Sequence, residues 1–526
     1  MAVFLPTDNA LDVRDKVIAN GGRGYEDFVV AEGKIAIEKL RLVGLYDDRQ
    51  VGFFMLRVRI PGGRLNADQT EALGAVVEKH VRRPPGETGP ENFAEITTRQ
   101  DVQLHWIRID EIASLWDTLE RVGLNSFLAC GDTVRNVTGC ALGGLLPDEV
   151  MDASGIVDDV SRYFVTNPEA GVFLPRKFKV SISGSVEDCV VSRINDLAFT
   201  PARKDGRIGF NVAAGGGLSD YPRLASDLDA FVWPEEVVGL VDACVRLFKE
   251  IGNYQEKAVN RFRAVVAEHG PQEIRDRLVR HFGAAIPTAG EDLVRRPGDD
   301  HLGPRPQKQA GLSTFGLNVL VGRLSGPQLK ELARLARTYG DGGVRLTQRQ
   351  NAVLTGVPAA RVEALAREAL VAEANPIAGS PAGAVVACTS APFCKFGIFD
   401  VKTRGSDLAT RLSGTGGSPF LLHVSGCKAS CAQPQVADIG LRATPAMNEE
   451  EAYVEAFDVC AGGNLFGGRL GHWIAYGVPV DEVYEGIHLL RQEYERNGVG
   501  ETFGEFAGRR GWPLPSREIA RSEDAK

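Results

Sequence analysis

The sequence predicts an α+β chain that has been duplicated internally. One order of secondary-structure elements appears twice. A second block of sequence repeats at a similar offset. Four cysteines cluster in only one of the two copies, so the copies have diverged in chemistry. At 526 residues the chain exceeds one ordinary core, and several domains are expected.

Residues 1–45 read as an N-terminal extension with some helix. In Gly52–Ile60 polar and apolar residues alternate towards the end, as in a strand, and Pro61-Gly62-Gly63 stops it. Asn66 is placed to cap a helix to about His80, with Gln69 at the capping-box position. Ala94–Gln100 and Val102–Ile107 read as two further strands. Asp110 opens a helix that Gly123 closes. The order β-α-β-β-α describes a ferredoxin-like half unit, bounded at 46–125. It returns over 311–375, with a strand at Gly316–Gly322, a helix from about Pro327 to Tyr339, strands at Gly343–Gln350 and Ala352–Thr355, and a helix to about Ala372. Thr97-Thr-Arg-Gln100 falls on Thr347-Gln-Arg-Gln350, an offset of 250.

The second repeated block has an offset of 242. Ser183-Gly-Ser-Val-Glu-Asp-Cys189 falls on Ser425-Gly-Cys-Lys-Ala-Ser-Cys431, and Asp196 on Asp438. Ala214-Gly-Gly-Gly-Leu218 matches Ala461-Gly-Gly-Asn-Leu465. These blocks define two larger domains, 126–290 and 376–515. A Pro- and Gly-rich linker, 291–310, precedes the second half unit, and 516–526 is a tail.

Composition narrows the class. Hydrophobic content of 44% and charged content of 25% are those of an ordinary globular protein. The net charge of −9 argues against a nucleic-acid binder. No apolar run approaches membrane-spanning length, and the first residues lack the basic and apolar regions of a signal peptide. A cytoplasmic setting and no membrane partner are expected. Glycine is abundant, with 60 residues, as where backbone closely approaches a large cofactor.

The cysteines carry the chemistry. Cys388-Thr-Ser-Ala-Pro-Phe-Cys394 and Cys427-Lys-Ala-Ser-Cys431 are two pairs within one region. Four thiolates suit an iron–sulfur cluster. Structural zinc, buried free thiols and chance are the alternatives, although the pairs do not both have the two-to-four-residue spacing of a zinc ribbon. Ser185 stands where Cys427 would in the first copy. Cys130, Cys140, Cys189, Cys244 and Cys460 read as buried thiols.

The stretch Ser425-Gly-Cys-Lys-Ala-Ser-Cys-Ala-Gln-Pro-Gln-Val-Ala-Asp-Ile-Gly440, with the pair at 388 and 394, resembles the siroheme/4Fe-4S signature of the sulfite and nitrite reductase family, of the assimilatory, ferredoxin-dependent type. The likeness runs from about Leu40 to about Gly511. It implies two siroheme/Fe–S-type α/β domains with pseudo-twofold symmetry beside the half units. It also implies a 4Fe–4S cluster on Cys388, Cys394, Cys427 and Cys431, with the Cys431 thiolate bridging to the siroheme iron. A soft, polarisable sulfur can serve two metals.

The same resemblance assigns Arg99, Arg135, Lys177 and Lys179 to the open face of the siroheme as the catalytic cations. Lys177 and Lys179 are two apart and share a strand face. Arginine offers a fixed fork to an oxyanion, and lysine a movable charge that also passes a proton. Gln103, His105 and Asn136 are candidate siroheme contacts, and the glycines at 215–217 and 462–463 are candidate turns against the macrocycle.

The reading is therefore a six-electron reductase of a small oxyanion. Lys179 stands where nitrite enzymes of the family tend to have asparagine, which favours sulfite, the more charged anion. Nitrite reduction to ammonia is the alternative, and a precorrin-3B synthase-like oxygenase a more distant one. A zinc-stapled binding protein is the non-enzymatic rival. With no flavin or nicotinamide domain recognisable, electrons are expected from ferredoxin or another low-potential donor. Lys395, Lys402, Arg404, Arg509 and Arg510 are candidates for its docking patch.

Overall fold

The computed structural model describes residues 10–256, 258–298, 301–374, 385–413, 420–447 and 452–514. The tail at 516–526 and the start of the N-terminal extension lie outside the described residues. The chain forms two compact units. The first takes the chain to Gly217, then Arg223–Leu317 and Arg323–Glu373. The second takes Leu218–Pro222, Asn318–Gly322 and the chain from Ala374 onward.

Both half units lie in the first unit, and each builds a five-stranded sheet. The first sheet runs in the order Leu45–Asp47, Phe53–Val58, Val102–Arg108, Phe93–Ile96, Arg323–Ser325. The second runs Gly303–Pro306, Leu312–Leu317, Ala352–Pro358, Gly343–Leu346, Arg64–Asn66. Each sheet thus takes its fifth strand from the other half unit. The short strand that each half lends leads directly into its helix. Asn66 accepts from the Gln69 amide at 2.8 Å, and Gln69 answers with the expected capping box. Ser325 and Gln328 repeat the device. The two helices, Ala67–His80 and Gly326–Tyr339, pack on each other. A Cβ on Gly74 would lie 2.8 Å from the Gly326 carbonyl oxygen, so a larger residue would push the crossing apart.

The repeated Thr-x-Arg-Gln motifs are turns rather than strand ends. Thr97 and Gln100 close one turn, Thr347 and Gln350 the other, and both glutamines are left-handed at φ 62° and φ 64°. A strand cannot continue through that backbone. The turned side chains cross over. Gln100 Nε2 donates to the Leu346 carbonyl at 2.9 Å, and Gln350 Nε2 donates to the Ile96 carbonyl at 2.9 Å. Two further expectations shift. The strand expected at Gly316–Gly322 ends at Leu317, because 320–322 turns with Val321 at φ 47°. Asp110 does not cap. Its carboxylate pairs with Arg108, and the helix begins at Ile112.

The two larger domains share one topology. In the first unit the sheet runs Thr138–Gly139, Val180–Ile182, Leu197–Lys204, Arg207–Ala214, Ser226–Val232. Glu291–Asp292 is added beside the third of these. In the second unit it runs Val385–Ala387, Leu422–Ser425, Ile439–Met447, Tyr453–Ala461, His472–Pro479. In both, the first three strands are parallel and the rest antiparallel. The offset of 242 is kept at the level of single bonds. Lys179 N donates to Asp196 Oδ2 at 2.9 Å, and Leu421 N donates to Asp438 Oδ2 at 2.8 Å. The glycines at 216 and 463 approach their own domains, because a Cβ there would meet Arg193 O at 2.3 Å and the Val436 carbonyl carbon at 2.7 Å. Their need for glycine is met without a cofactor.

The crossed glutamines give a stability test. Gln100→Ala or Gln350→Ala strands a buried carbonyl, which costs about 1–3 kcal/mol. Each variant is expected to show a lower thermal midpoint than wild type by differential scanning calorimetry. Midpoints unchanged in both would mean the crossing does not hold the half units together.

Candidate functional site

Positive charge gathers where the first half unit meets the Thr138–Val232 sheet inside the first unit. Arg99, on its left-handed turn, donates to Asn195 Oδ1 at 2.7 Å, to the Asn136 carbonyl at 2.7 Å and to the Val180 carbonyl at 3.1 Å. Asn136 is buried and returns Nδ2 to the carbonyls of Ile60 and Arg99 at 2.8 and 3.0 Å. Arg135 is held by the carbonyls of Gly131 and Ala129 at 3.0 and 3.1 Å. Burial lowers both guanidinium groups to about 10.

Lys177 and Lys179 flank Phe178, which bridges to Val134. The Phe178 ring packs between Phe248 and Phe262, at centroid distances of 5.8 and 5.4 Å. In an extended chain this turns both lysines to the other side. Burial pushes the Lys179 ammonium well below its usual value, and the charges of Arg99, Arg261 and Lys177 push it further. The sequence-predicted set therefore meets, apart from Gln103 and His105.

Those two sit on Val102–Arg108. Gln103 accepts from Arg57 Nη2 at 3.0 Å. His105 is enclosed by Asp48 Oδ1 at 3.4 Å and Glu95 Oε2 at 3.6 Å. Burial alone would lower the imidazolium, but the two carboxylates outweigh it and raise His105 to about 8.

Sequence reasoning missed four members of this network. Arg57 donates to the Ala129 carbonyl at 2.9 Å. Arg59, 2% exposed, donates to the carbonyls of Val134 and Arg135, both at 3.2 Å. Asp101 accepts from Ile60 N at 3.3 Å, and burial raises it to about 6 despite the neighbouring arginines. Arg261 closes a bidentate pair with Asp196, both contacts at 3.0 Å. Arg57-Val58-Arg59 has the same two-residue spacing as the lysines and was the available signal. Arg261, 65 residues from its partner, has none. Cations outnumber carboxylates in this network. Arg99 Nε and Arg261 Nε are buried with no hydrogen-bond partner among the described residues. Such a site is suited to an anionic ligand.

The second unit carries the cysteine pairs, on the loops that leave adjacent parallel strands. Cys388 follows Val385–Ala387, and its sulfur accepts from Gly426 N at 3.1 Å. Cys394 N donates to the Ser390 carbonyl at 2.8 Å, closing the loop. Cys427 and Cys431 follow Leu422–Ser425, around Ser430 at φ 54°. A Cβ at 426 would lie 2.0 Å from Ser390 Oγ, so glycine is required where the two loops touch. Burial and the other three cysteines push the Cys388 thiol well up, and burial with Cys431 raises Cys427 to about 11. The four are thus electrostatic neighbours. No three of their sulfurs lie within 4.8 Å of one another. A single tetrahedral ion draws thiolates to about 3.8 Å apart, whereas a cubane gives each cysteine its own iron.

Among the expected docking residues, Lys402 is a correction. It is 1% exposed, with its ammonium on the Val321 carbonyl, because it faces the core under Val401–Ser413. Arg404, Arg509 and Arg510 pair with Glu455, Glu501 and Glu493.

A duplicated α+β scaffold with a desolvated cation cluster and four loop cysteines defines a redox enzyme of anion chemistry. Residues 46–122 and 305–372 match the "Nitrite/Sulfite reductase ferredoxin-like half domain" family, and 130–285 the "Nitrite and sulphite reductase 4Fe-4S domain" family. The chain is 34% identical to the "Assimilatory ferredoxin-dependent nitrite reductase" of Haloferax mediterranei, over 94% of this chain and 89% of that one. It is 36% identical to the "Ferredoxin--nitrite reductase" of Leptolyngbya laminosa, over 82% and 84%. The structure matches that of the Mycobacterium tuberculosis NirA protein with a TM-score of 0.86, at 27% identity over 95% of this chain and 94% of that one. The protein belongs to the nitrite and sulfite reductase family and is an oxidoreductase. Among the described residues no helix is long and apolar enough to cross a membrane.

The expectation of sulfite is overturned. Relatives spanning most of the chain at 32–36% identity are named as nitrite reductases. The physical flaw lies in Lys179. Its ammonium is buried among three other cations and driven towards neutrality, so it is no fixed extra charge with which to choose the more charged anion.

His105 gives a pH test. Its folded pKa of about 8 lies above the unfolded value of about 6.5, so its charged form stabilises the fold below pH ~6.5 and that contribution is lost as pH rises through about 8. The gap corresponds to about 2 kcal/mol. The thermal midpoint of wild type minus that of His105→Gln is expected to shrink between pH 6.5 and 8.5. A constant difference would remove the charged-histidine assignment.

Proposed function

We propose that this protein is a ferredoxin-dependent nitrite reductase, which takes six electrons and eight protons to turn nitrite into ammonium and two waters. The observation that carries the reading is the desolvated cation cluster around Arg99 and Lys179. The names of the relatives agree with it. Cys388, Cys394, Cys427 and Cys431 would hold the 4Fe–4S cluster. The unpartnered Arg99 Nε and Arg261 Nε fit the need of siroheme carboxylates for donors. Siroheme, when bound, supplies an iron that holds nitrite and passes it electrons.

The side chains divide the remaining work. Arg99 and Arg135 keep their charge at neutral pH, since about 10 is still well above it, and bind anionic oxygens. Burial and the neighbouring cations lower the Lys179 ammonium well below the usual lysine range, which makes its proton easier to give up as oxygens leave as water. Lys177 lies close enough for its charge to act on Lys179. Gln103 orients Arg57, and Asn136 fixes the turn that carries Arg99. His105, locked between two carboxylates, holds that strand rather than moving protons. Ferredoxin would supply the electrons.

The test is turnover by purified holoenzyme with reduced ferredoxin. Ammonium is expected in a one-to-one ratio with nitrite consumed, at six reducing equivalents each. No ammonium, or a two-electron product, would end the reading. The cluster ligands are tested separately. Cys388→Ser, Cys394→Ser and Cys427→Ser should each lose most of the cluster iron and acid-labile sulfide, because a thiolate ligand is gone. Full wild-type content in all three would dismiss the ligand set.

A further inference from the structure

The first copy of the duplicated domain is not bare of ligands. Strand register makes the correspondence. Gly139 pairs with Ile182 in the first unit, and Ala387 pairs with Val424 in the second. Ile182 and Val424 are related by the offset of 242, so Cys140, next after Gly139, occupies the place of Cys388. Cys189 occupies the place of Cys431 by the same offset. The remaining two positions are Leu146, for Cys394, and Ser185, for Cys427. Two of the four thiols are therefore kept and two are lost. A cubane cannot form, but the retained pair is not idle.

Cys140 and Cys189 are each 7% exposed, and His301, in the linker just before the strand Gly303–Pro306, is 1% exposed. One ligand atom from each lies within 4.8 Å of the others, and this is the one such group found among the described residues. Leu142, Leu146, Val190 and Val353 surround the sulfurs and shield them from solvent. His301 is set with φ at 58°, a conformation a non-glycine residue holds only when its surroundings demand it. A narrow cleft bordered by Cys140, Gly143 and Glu149 admits about one water.

We propose that Cys140, Cys189 and His301 form a zinc site in the first copy of the domain, separate from the iron–sulfur ligands of the second. Two sulfurs and an imidazole nitrogen are a donor set for a borderline-soft ion. Binding draws the ligand atoms to about 3.7 Å apart, a closure of at most about 1 Å, and releases the thiol protons. A water or an exogenous anion takes the fourth position. The ion would tie the strand ends carrying Cys140 and Cys189 to the second half unit, a role the lost cysteines no longer serve. This assignment stands whether or not nitrite is the substrate.

The experiment is metal analysis and zinc-edge X-ray absorption on reduced holoenzyme, as isolated and after exposure to Zn2+ and removal of the excess. About one zinc per chain is expected, with two sulfur neighbours and at least one nitrogen. Cys140→Ser, Cys189→Ser and His301→Gln should each lower it at least tenfold, while iron and acid-labile sulfide stay at wild-type levels. The neighbour count comes from wild type alone, so it decides even if a variant fails to fold. Wild type that takes up no zinc, zinc without sulfur neighbours, or zinc retained in all three folded variants overturns the proposal. A Cys140–Cys189 disulfide in the isolated chain, read as two missing hydrogens by intact-mass measurement, overturns it as well.

Discussion

The exchange of strands between the two half units is the constraint on which the rest of the first unit depends. Each half forms four strands of its own sheet and gives a short strand to the other. An unpaired edge strand exposes backbone donors and acceptors, and here each half removes that liability for its twin. The crossed glutamines sit where the exchange is tightest. Their left-handed backbone places Arg99 on a turn fixed from both sides, and carries the side chain to Asn136, Val180 and Asn195. Arg99 is thus mounted on the feature that locks the duplication together.

Holding so many cations in one desolvated region has a cost, and backbone carbonyls meet most of it. Arg57, Arg59, Arg99 and Arg135 all donate to carbonyl oxygens, which neutralise nothing but satisfy the donors. Carboxylates enter sparingly, as Asp101 and Asp196. The remaining positive potential is available to anionic groups. The same economy explains Lys179. A buried lysine beside three other cations holds its proton less tightly than an exposed one, and Asp196 offsets this only in part. A charge held so loosely is no firm basis for choosing between anions.

The two copies of the larger domain show how divergence works when a topology is retained. The carboxylate that fastens Lys179 has an equal in Asp438, and the loops after the first two strands sit alike in both. What changes is what those loops carry. In one copy they carry two cysteine pairs, of which no three sulfurs were found within 4.8 Å of one another, the reach allowed for a single ion. In the other, two cysteines and a histidine stand close enough for one. Ligand number and spacing, not fold, decide which metal chemistry each copy can support.

The sequence by itself determined the duplication and singled out the four loop cysteines and most of the cations that the first unit gathers. Those signals are local. A capping box spans four residues, a cysteine pair five or seven, and a repeat is an identity of short strings. The tertiary structure decided what depends on residues far apart. It brought Arg261 to Asp196 and Asp48 to His105. It turned Thr97–Gln100 out of its strand and buried Lys402. It also gathered Cys140, Cys189 and His301, which the sequence scatters among apparently inert thiols. Burial and the field of neighbouring charges set the protonation of Lys179, and neither quantity exists in an unfolded chain. Composition and spacing can name a lysine, but only packing decides whether it remains a cation.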